Sequence, residues 1–501
     1  MAEPRVLRID ARDDVVVALA PLVPGMVVGG DDGAVLVREP IPLGHKVAIR
    51  DVAAGGVVHK FGAPIGRATH DIAAGMHVHV HNLATMLEEG TLPPFAGAPA
   101  LPPIADRPDA WRGYRRADGR AATRNELWII PSVGCVNALA TRLATLVRPR
   151  LDGRADGVHA FPHPFGCSQL GDDLARTRRI LAGLARNPNA GGVLLLGLGC
   201  ENNRLDALRA ELAALPPERV AAFDAQSVTD EEEAGLAAIE RLLDVMAHDV
   251  REPLPLSALV LGTKCGGSDG FSGLSANPLV GAVAERVTRA GGIALLSEVP
   301  EMFGAEASLL ARAATPRVHA DVARLVDDFK GYFRAHAQPI HENPSPGNKD
   351  GGITTLEEKS LGATQKGGRA PVMQVVAYGN PVRTDAEVLG GLALVEAPGN
   401  DAVSTTALTA AGATLILFTT GRGTPLGAPV PTLKVASTSD LATRKPRWID
   451  FDAGPILAGA PLDDTAEALL AQVCRVASGT PARHEEADVR EIAVWKQGVT
   501  L

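Results

Sequence analysis

Three times in its middle, the chain runs an apolar strand candidate into a cysteine-bearing turn and on into a helix rich in Ala, Leu and Arg. The copies are residues 126–131 followed by VGCVNALATRLATLV, 192–197 followed by LGCENNRLDALRAELAAL, and 258–262 followed by TKCGGSDGFSG and NPLVGAVAERVTRAG. Strand, turn and helix in strict alternation commit a chain to an α/β architecture, because each helix must cover the sheet its strands build. Residues 293–296 read as the next strand. Further on, a strand at 391–397, the loop PGND, a helix at 402–411, a strand at 414–420 and GRGTP form one more unit, and a last helix is expected near 465–478.

The alternation is absent from the first 91 residues, where short Val/Ile/Leu runs at 15–18, 34–37, 46–49 and 56–60 are broken by Gly and Asp. That pattern reads as a small β-rich domain. Residues 92–111 include LPPFAGAPALPPIADRPD, with six prolines and no periodicity, the composition of an extended linker. The expected organisation is therefore a β-rich domain at 1–91, a linker at 92–111, a middle α/β domain at 112–340, and a polar functional loop with a C-terminal α/β domain at 341–501. A chain of 501 residues exceeds one core, which agrees with several domains. The loop at 341–369, HENPSPGNKDGGITTLEEKSLGATQKGGR, is expected to be irregular and functional.

Charge narrows the partners. Forty-nine basic against fifty-eight acidic side chains leave a net −9, so no general attraction to a nucleic-acid backbone is expected. The N-terminal residues carry no basic segment followed by an apolar one, and no apolar run reaches membrane-spanning length; a cytoplasmic protein without a membrane partner is expected. Five scattered cysteines fit thiols in a reducing compartment better than a disulfide framework.

Two groups of residues carry chemistry. In GMHVHVHN, His77, His79 and His81 alternate with apolar residues, so a strand would project all three from one face, where imidazoles suit Fe, Mn or Zn. Ordinary polar residues on a solvated strand face would look the same. His45 and His59, in GHK and VHK, lie in the same domain. The second group is a set of Gly-flanked turns, VGC at 133–135, FGCSQL at 165–170, LGCENN at 198–203 and KCGGSD at 264–269, which are expected to converge on one rim at the strand C-termini. Their thiols are candidate ligands for iron or an iron–sulfur cluster, though none shows C-x-x-C spacing, and a small buried cysteine behind a turn is the plainer alternative. Polar strips at 124–126, 201–203, 268–269, 298–301, 348–350, 400–401 and 422–424 offer amides, hydroxyls, carboxylates and cations of the kind that bind a sugar acid.

With these strings laid out, the chain resembles the altronate dehydratase family, which includes galactarate dehydratase and sulfolactate sulfo-lyase relatives. The resemblance runs over nearly the whole length, through GHKVA, HVHVHN, RNELWIIPSVGCVN, GCSQLGDD, NPNAGGVLLLGLGCENN, CGGSDGFSG, SEVPEMFGAE, ENPSPGNKDGGITTLEEKSLG, APGNDAVSTTAL, FTTGRGTP and WIDFDAG. It implies an N-terminal SAF-type β domain, a middle α/β domain and a C-terminal Rossmann-like domain. It also implies a hydro-lyase that converts D-altronate to 2-keto-3-deoxy-D-gluconate in galacturonate catabolism, with Fe2+, or alternatively Mn2+, as activator. Galactarate or another aldarate or aldonate is the alternative substrate. Lys264 before CGGSDG and the stretch 161–165 depart locally from the familiar pattern.

Loss of water next to a carboxylate needs a Lewis acid or cations to hold a second negative charge, a base for the C2 proton and an acid for the C3 hydroxide. For the metal, the resemblance points first to His79 and His81, then to His77, His45 and the thiols of Cys135, Cys167, Cys200 and Cys265. Acid and base are sought among Lys349, Lys366, Glu298 and His163. Arg124 and Arg422 are expected to bind the carboxylate, and Asn202, Asn203, Asn400 and Asp401 to order the hydroxyls. A sugar acid is the expected partner, with homo-oligomerisation left open. Competing readings are a C–S or cluster-dependent lyase with iron–sulfur on the four cysteines, and a sugar-acid-binding protein without turnover.

Overall fold

The computed structural model describes residues 5–30, 33–87, 92–99 and 101–501. The N-terminal strands are β1 (Val15–Ala18), β2 (Lys46–Ala48), β3 (Val57–Lys60), β4 (Ala63–Ala68) and β5 (His77–Val78). Val6–Leu7, β1, β2 and β5 pair antiparallel in that order, while β4 pairs with β3 on one side and with Leu83–Ala84 on the other. Their apolar residues fill two small cores, one around Val58, Ile65 and Val78 and one around Val16, Leu22 and Val47. The β-rich reading of this region thus holds among the described residues.

The middle sheet contains β6 (Glu126–Pro131), β7 (Gly157–Ala160), β8 (Ala190–Gly197) and β9 (Val220–Asp224), all parallel in the order β7-β6-β8-β9. Every residue of β6 is buried, because helices cover both faces. Leu127 and Ile129 pack with helices α1 (Asn137–Val147) and α3 (Glu231–Met246) on one side. Trp128 and Ile130 join the main core with α2 (Gly171–Ala185) on the other.

The second sheet has seven parallel strands: β10 (Val260–Cys265), β11 (Ile293–Leu296), β12 (Val372–Val376), β13 (Leu392–Val395), β14 (Leu415–Thr420), β15 (Thr432–Ala436) and β16 (Phe451–Asp452). Their order is β12-β13-β11-β10-β14-β15-β16. Helices α4 (Ala276–Arg289), α5 (Pro316–Ala335), α6 (Leu356–Ala363), α7 (Asp401–Ala411) and α8 (Leu462–Ala477) accompany it. Residues 256–340, grouped with the middle domain in the sequence reading, give this sheet β10 and β11. The Cys265 turn therefore belongs to a different rim from the turns of Cys135, Cys167 and Cys200.

Both sheets have a switch point. From β6 the chain moves to β7 on one side while β8 leads to β9 on the other; β10 leads to β11 while β14 leads to β15. Connections that diverge like this leave a crevice beyond the strand C-termini, the usual place for a ligand in an open α/β sheet. No helix of the described residues is long and apolar enough to cross a membrane.

The polar stretch 341–369 is more ordered than its composition suggests. Ser345 and Asn348 form a reciprocal capping box on the short helix Pro346–Asp350, Thr355 caps α6 by accepting from Glu358 N–H, and a 3-10 turn follows at Thr364–Gly367.

Candidate metal centre and adjoining charge cluster

Pairing of Val47 with His77 and of Lys46 with Val78 brings the start of β2 beside β5. Just before β5, Gly75 sits at φ 88° and lets the chain pass close to Leu36, whose carbonyl a Cβ there would strike. His45 Nδ1 lies 3.0 Å from His77 Nε2, and the His45 and His79 rings are 4.8 Å apart at their centroids. One nitrogen from each of His45, His77 and His79 falls within 4.8 Å of the others. Ligands about 2.1 Å from one ion and at right angles stand about 3 Å apart, so the His45–His77 spacing suits a shared cation.

The rings are held from outside the domain. His45 Nε2 meets the Asp350 carbonyl at 3.2 Å, and His79 Nδ1 meets Thr354 Oγ1 at 3.0 Å, the outer contacts that orient a ligating imidazole. Burial, reinforced by neighbouring imidazoles and Lys46, pushes His77 down to about 3 and His79 down to about 4; burial also lowers His45. All three are neutral at pH 7, with lone pairs free for a metal. His81 is exposed, with its ring 5.3 Å from that of His77, and stands outside the donor group. The strand ends at Val78, so the expected alternation does not carry His77, His79 and His81 to one face together; His45 takes the third place.

Beneath the triad lies a buried ion cluster that joins the N-terminal domain to α6. Lys46 Nζ donates to Gly352 O at 2.7 Å, Thr354 Oγ1 at 2.8 Å and Glu358 Oε2 at 2.8 Å, and Lys60 Nζ reaches Glu358 Oε1 at 2.8 Å. Burial favours the neutral acid, but Lys46 and Lys60 together outweigh it and hold the Glu358 carboxyl at about 2.

On the other side of α6, at the β10/β14 switch point, sits a second cluster. Lys359 Nζ contacts Glu301 Oε1 at 2.8 Å, Glu301 Oε2 accepts from Cys265 Sγ at 3.1 Å, and Lys366 Nζ lies 2.8 Å from that sulfur and 2.9 Å from Glu298 Oε2. Lys264 binds Glu298 and reaches Asp401 at 2.9 Å. Glu298 sits at φ 72°, a costly conformation for a residue with a side chain, secured by Lys264, Lys366 and Cys265 N–H. Burial lowers Lys264 and Lys366, yet the surrounding acidic groups more than reverse it, so both remain ammoniums. Burial and then Glu298 and Glu301 push Cys265 up to about 12. Cys265, Glu298 and Glu301 also form a donor group by distance, one already contacted by the Lys264 and Lys366 ammoniums.

Asn348 connects the clusters. It lies in the helix whose Asp350 carbonyl meets His45, and its Oδ1 accepts from Lys359 Nζ at 3.1 Å.

Of the proposed acid–base residues, Lys366 and Glu298 meet in the second cluster. His163 instead belongs to the middle sheet, with Nε2 bonded to Pro131 O and Nδ1 accepting from Phe165 N–H. Lys349 lies half-buried in the helix Pro346–Asp350. Arg124 is not an anion site: its buried guanidinium is spent on Glu485 and on the carbonyls of Thr123, Val476 and Thr480. Asn202 accepts from Ser168 N–H, and buried Asn203 bonds Ser132 O and Arg178, so both fasten loops in the middle domain. Asn400 is the N-cap of α7, accepting from Val403 N–H, whereas Asp401 joins the cluster through Lys264. Arg422 is exposed and donates to Gly347 O. Cys135, Cys167 and Cys200 are exposed in the middle domain, away from the imidazoles of the N-terminal one. The sequence reading did not select Lys46, Lys60, Thr354, Glu358 or Lys359; the first two were present in GHK and VHK, beside histidines already singled out.

Sequence profiles match three consecutive regions: "Altronate/galactarate dehydratase SAF domain" at residues 4–86, "D-galactarate dehydratase/Altronate hydrolase, second domain" at 113–247, and "D-galactarate/Altronate dehydratase, C-terminal" at 256–500. An altronate dehydratase of Escherichia coli (strain K12) is 48% identical over 501 residues, covering 99% of each chain. One of Bacillus subtilis (strain 168) is 46% identical over 502 residues, again 99% of each. A galactarate dehydratase (L-threo-forming) of Escherichia coli (strain K12) is 33% identical over 472 residues, covering 89% of this chain and 88% of its own. A solved chain of acetyl-CoA synthase/carbon monoxide dehydrogenase superposes with TM-score 0.18 at 8% identity, over 71% of this chain and 57% of that one, too weak to bear on the fold.

Proposed function

The chain belongs to the altronate/galactarate dehydratase family, and from that premise we propose that it dehydrates altronate with the help of a divalent cation held by His45, His77 and His79. It is a hydro-lyase of the altronate type, a reading favoured over galactarate by 48% and 46% identity against 33%. The observation that carries the metal reading is the convergence of three neutral imidazoles whose outer nitrogens lean on Asp350 and Thr354. Fe2+ is the cation proposed first and Mn2+ second, both suited to imidazole donors. When bound, it supplies Lewis-acid stabilisation of the charge that builds on the substrate carboxylate.

The chain's own groups provide the rest. Lys366 and Lys264 stay cationic beside the reaction and offset the second negative charge of the ionised acid. We assign removal of the C2 proton to the Glu298 carboxylate and delivery of a proton to the departing C3 hydroxyl to the Lys366 ammonium. One water leaves, and the enol becomes the 2-keto-3-deoxy acid. Asp401, whose side chain is 37% exposed, gives this otherwise closed cluster its opening to solvent. The seven-stranded sheet is read as Rossmann-like in this respect: its switch point carries the acid–base groups.

The test is incubation of chelated protein with altronate and with galactarate, anaerobically, with and without Fe2+ or Mn2+, scoring 2-keto acid. Metal-dependent product from altronate is expected. Equal turnover of chelated protein without added metal would remove the cation from the reading, and product from galactarate alone would reassign the substrate.

A further inference from the structure

Cysteine is among the most consistently buried residue types, yet Cys135, Cys167 and Cys200 are all exposed. Each follows a glycine, and each lies in the loop after one of three neighbouring parallel strands, β6, β7 and β8. Their loops leave the C-terminal edge of the middle sheet at its switch point, which the altronate reading leaves unused.

The three loops are tied together by their own backbones. Gly134 N–H donates to Phe165 O at 2.9 Å, Asn203 N–H to Gly166 O at 2.9 Å, and Ser168 N–H to Asn202 Oδ1 at 2.8 Å. A Cβ on Gly134 would press on the His163 carbonyl at 2.9 Å, and one on Gly166 would collide with the Ser132 carbonyl. The glycines thus let the cysteine loops close on one another. Hydrogen-bonding groups face two of the sulfurs: Gln226 Nε2 lies 3.8 Å from Cys200 Sγ, and Ser168 Oγ lies 3.7 Å from Cys167 Sγ.

Spacing separates the possible occupants. A single ion bound at about 2.3 Å would draw thiolates to about 3.8 Å from each other. Among the described residues, the three thiols are not one of the donor groups gathered within 4.8 Å, so they are too spread for one ion. A polynuclear centre spans more, because each cysteine meets a different iron.

We propose that Cys135, Cys167 and Cys200 hold a [4Fe–4S] cluster at the rim of the middle sheet, one iron per cysteine, with the fourth iron free of protein thiolate. Cys265 lies among lysines in the other sheet and Cys474 in α8. Glu201, the nearby carboxylate, is turned inward onto Ser132 and the N–H groups of Leu198 and Gly199. The open iron is therefore available to an external oxygen ligand. This inference stands apart from the choice of substrate and from the histidine centre.

The test uses the full-length protein, incubated anaerobically with ferric iron, a thiol reductant and sulfide and then desalted. Expected are acid-labile sulfide matched by an equal amount of iron beyond that held by the histidine centre, visible charge-transfer absorption, and protection of three thiols from an alkylating reagent that modifies them in the unloaded protein. Cys135→Ser, Cys167→Ser and Cys200→Ser should each lose most of the sulfide, while Cys474→Ser retains it. Sulfide content unchanged in the three variants, or no acid-labile sulfide kept after desalting, overturns the proposal. If a variant fails to fold, the alkylation readout on the unsubstituted protein decides: thiols equally reactive before and after loading overturn it as well.

Discussion

His79 and His81 are two positions apart in the chain and differ in everything that matters to a cation. The first is half-buried against Thr354 and neutral, and the second is exposed. His79→Ala is expected to lose bound metal in elemental analysis, while His81→Ala keeps it. Thr354→Val, which removes only the outer contact, should weaken metal affinity by roughly 10–100-fold. A buried histidine elsewhere in the chain contributes to acid sensitivity. His484 accepts from Thr432 N–H through Nε2, lies against the Val489 carbonyl through Nδ1, and is pushed down by burial to about 3. Its folded pKa lies below the unfolded value near 6.5, so the unfolded chain takes up a proton that the native one refuses, and stability falls as pH drops below that value. One such group costs about 2 kcal/mol between pH 7 and pH 5. Denaturant titrations should find that increment in the native sequence and lose it in His484→Gln. At this scale the sequence exposed residue types well and partners poorly. Alternation of His77, His79 and His81 was visible, but the turn that ends β5 and the return of His45 through strand pairing depend on contacts 32 residues apart. Arg124 looked like an anion site because nothing local announces Glu485, 361 residues away.

Elements repeat the lesson with capping and burial. Asn400 reads as a hydroxyl ligand in PGND, whereas its side chain closes the first turn of α7. Asn400→Ala should lower stability by about 1 kcal/mol, seen as a reduced melting temperature, and leave the KM for altronate unchanged. A raised KM would return Asn400 to the substrate. The strands and helices themselves were largely legible: 126–131 and 293–296 match β6 and β11 end to end, and the helix expected at 402–411 starts one residue earlier. Apolar runs and Ala-rich periodicity suffice for that. The stretch 341–369, expected to be irregular from its Gly, Pro and polar content, instead holds two helices and a 3-10 turn. Its Glu358 and Lys366 are buried because ionic partners from two domains meet them there, and Glu357 because the Thr85 hydroxyl and the Met86 N–H donate to it.

At the scale of the whole molecule, α6 joins two domains by turning Glu358 toward one and Lys359 toward the other. Glu358→Gln would leave Lys46 and Lys60 buried without a counter-charge, and breaking a buried pair in this way costs about 3–5 kcal/mol. The expected result is early loss of the N-terminal domain in denaturant, followed by faster cleavage within 92–111. Conversely, native protein cut once in that segment should stay associated on gel filtration and retain turnover, because the contacts through Glu358, Thr354 and Asp350 do not depend on the linker. Dissociation after a single cut would show the interface to be weaker than its ion pairs suggest. The imidazoles come from one side of this junction, and the groups that aim two of them come from the other. Closure of the junction and occupancy by a cation must then reinforce each other by the same factor, as linkage requires. Loss of the proposed cation would therefore reach this protein as a structural injury as well as a chemical one: chelation should hasten proteolysis between residues 92 and 111, and readdition of metal should slow it.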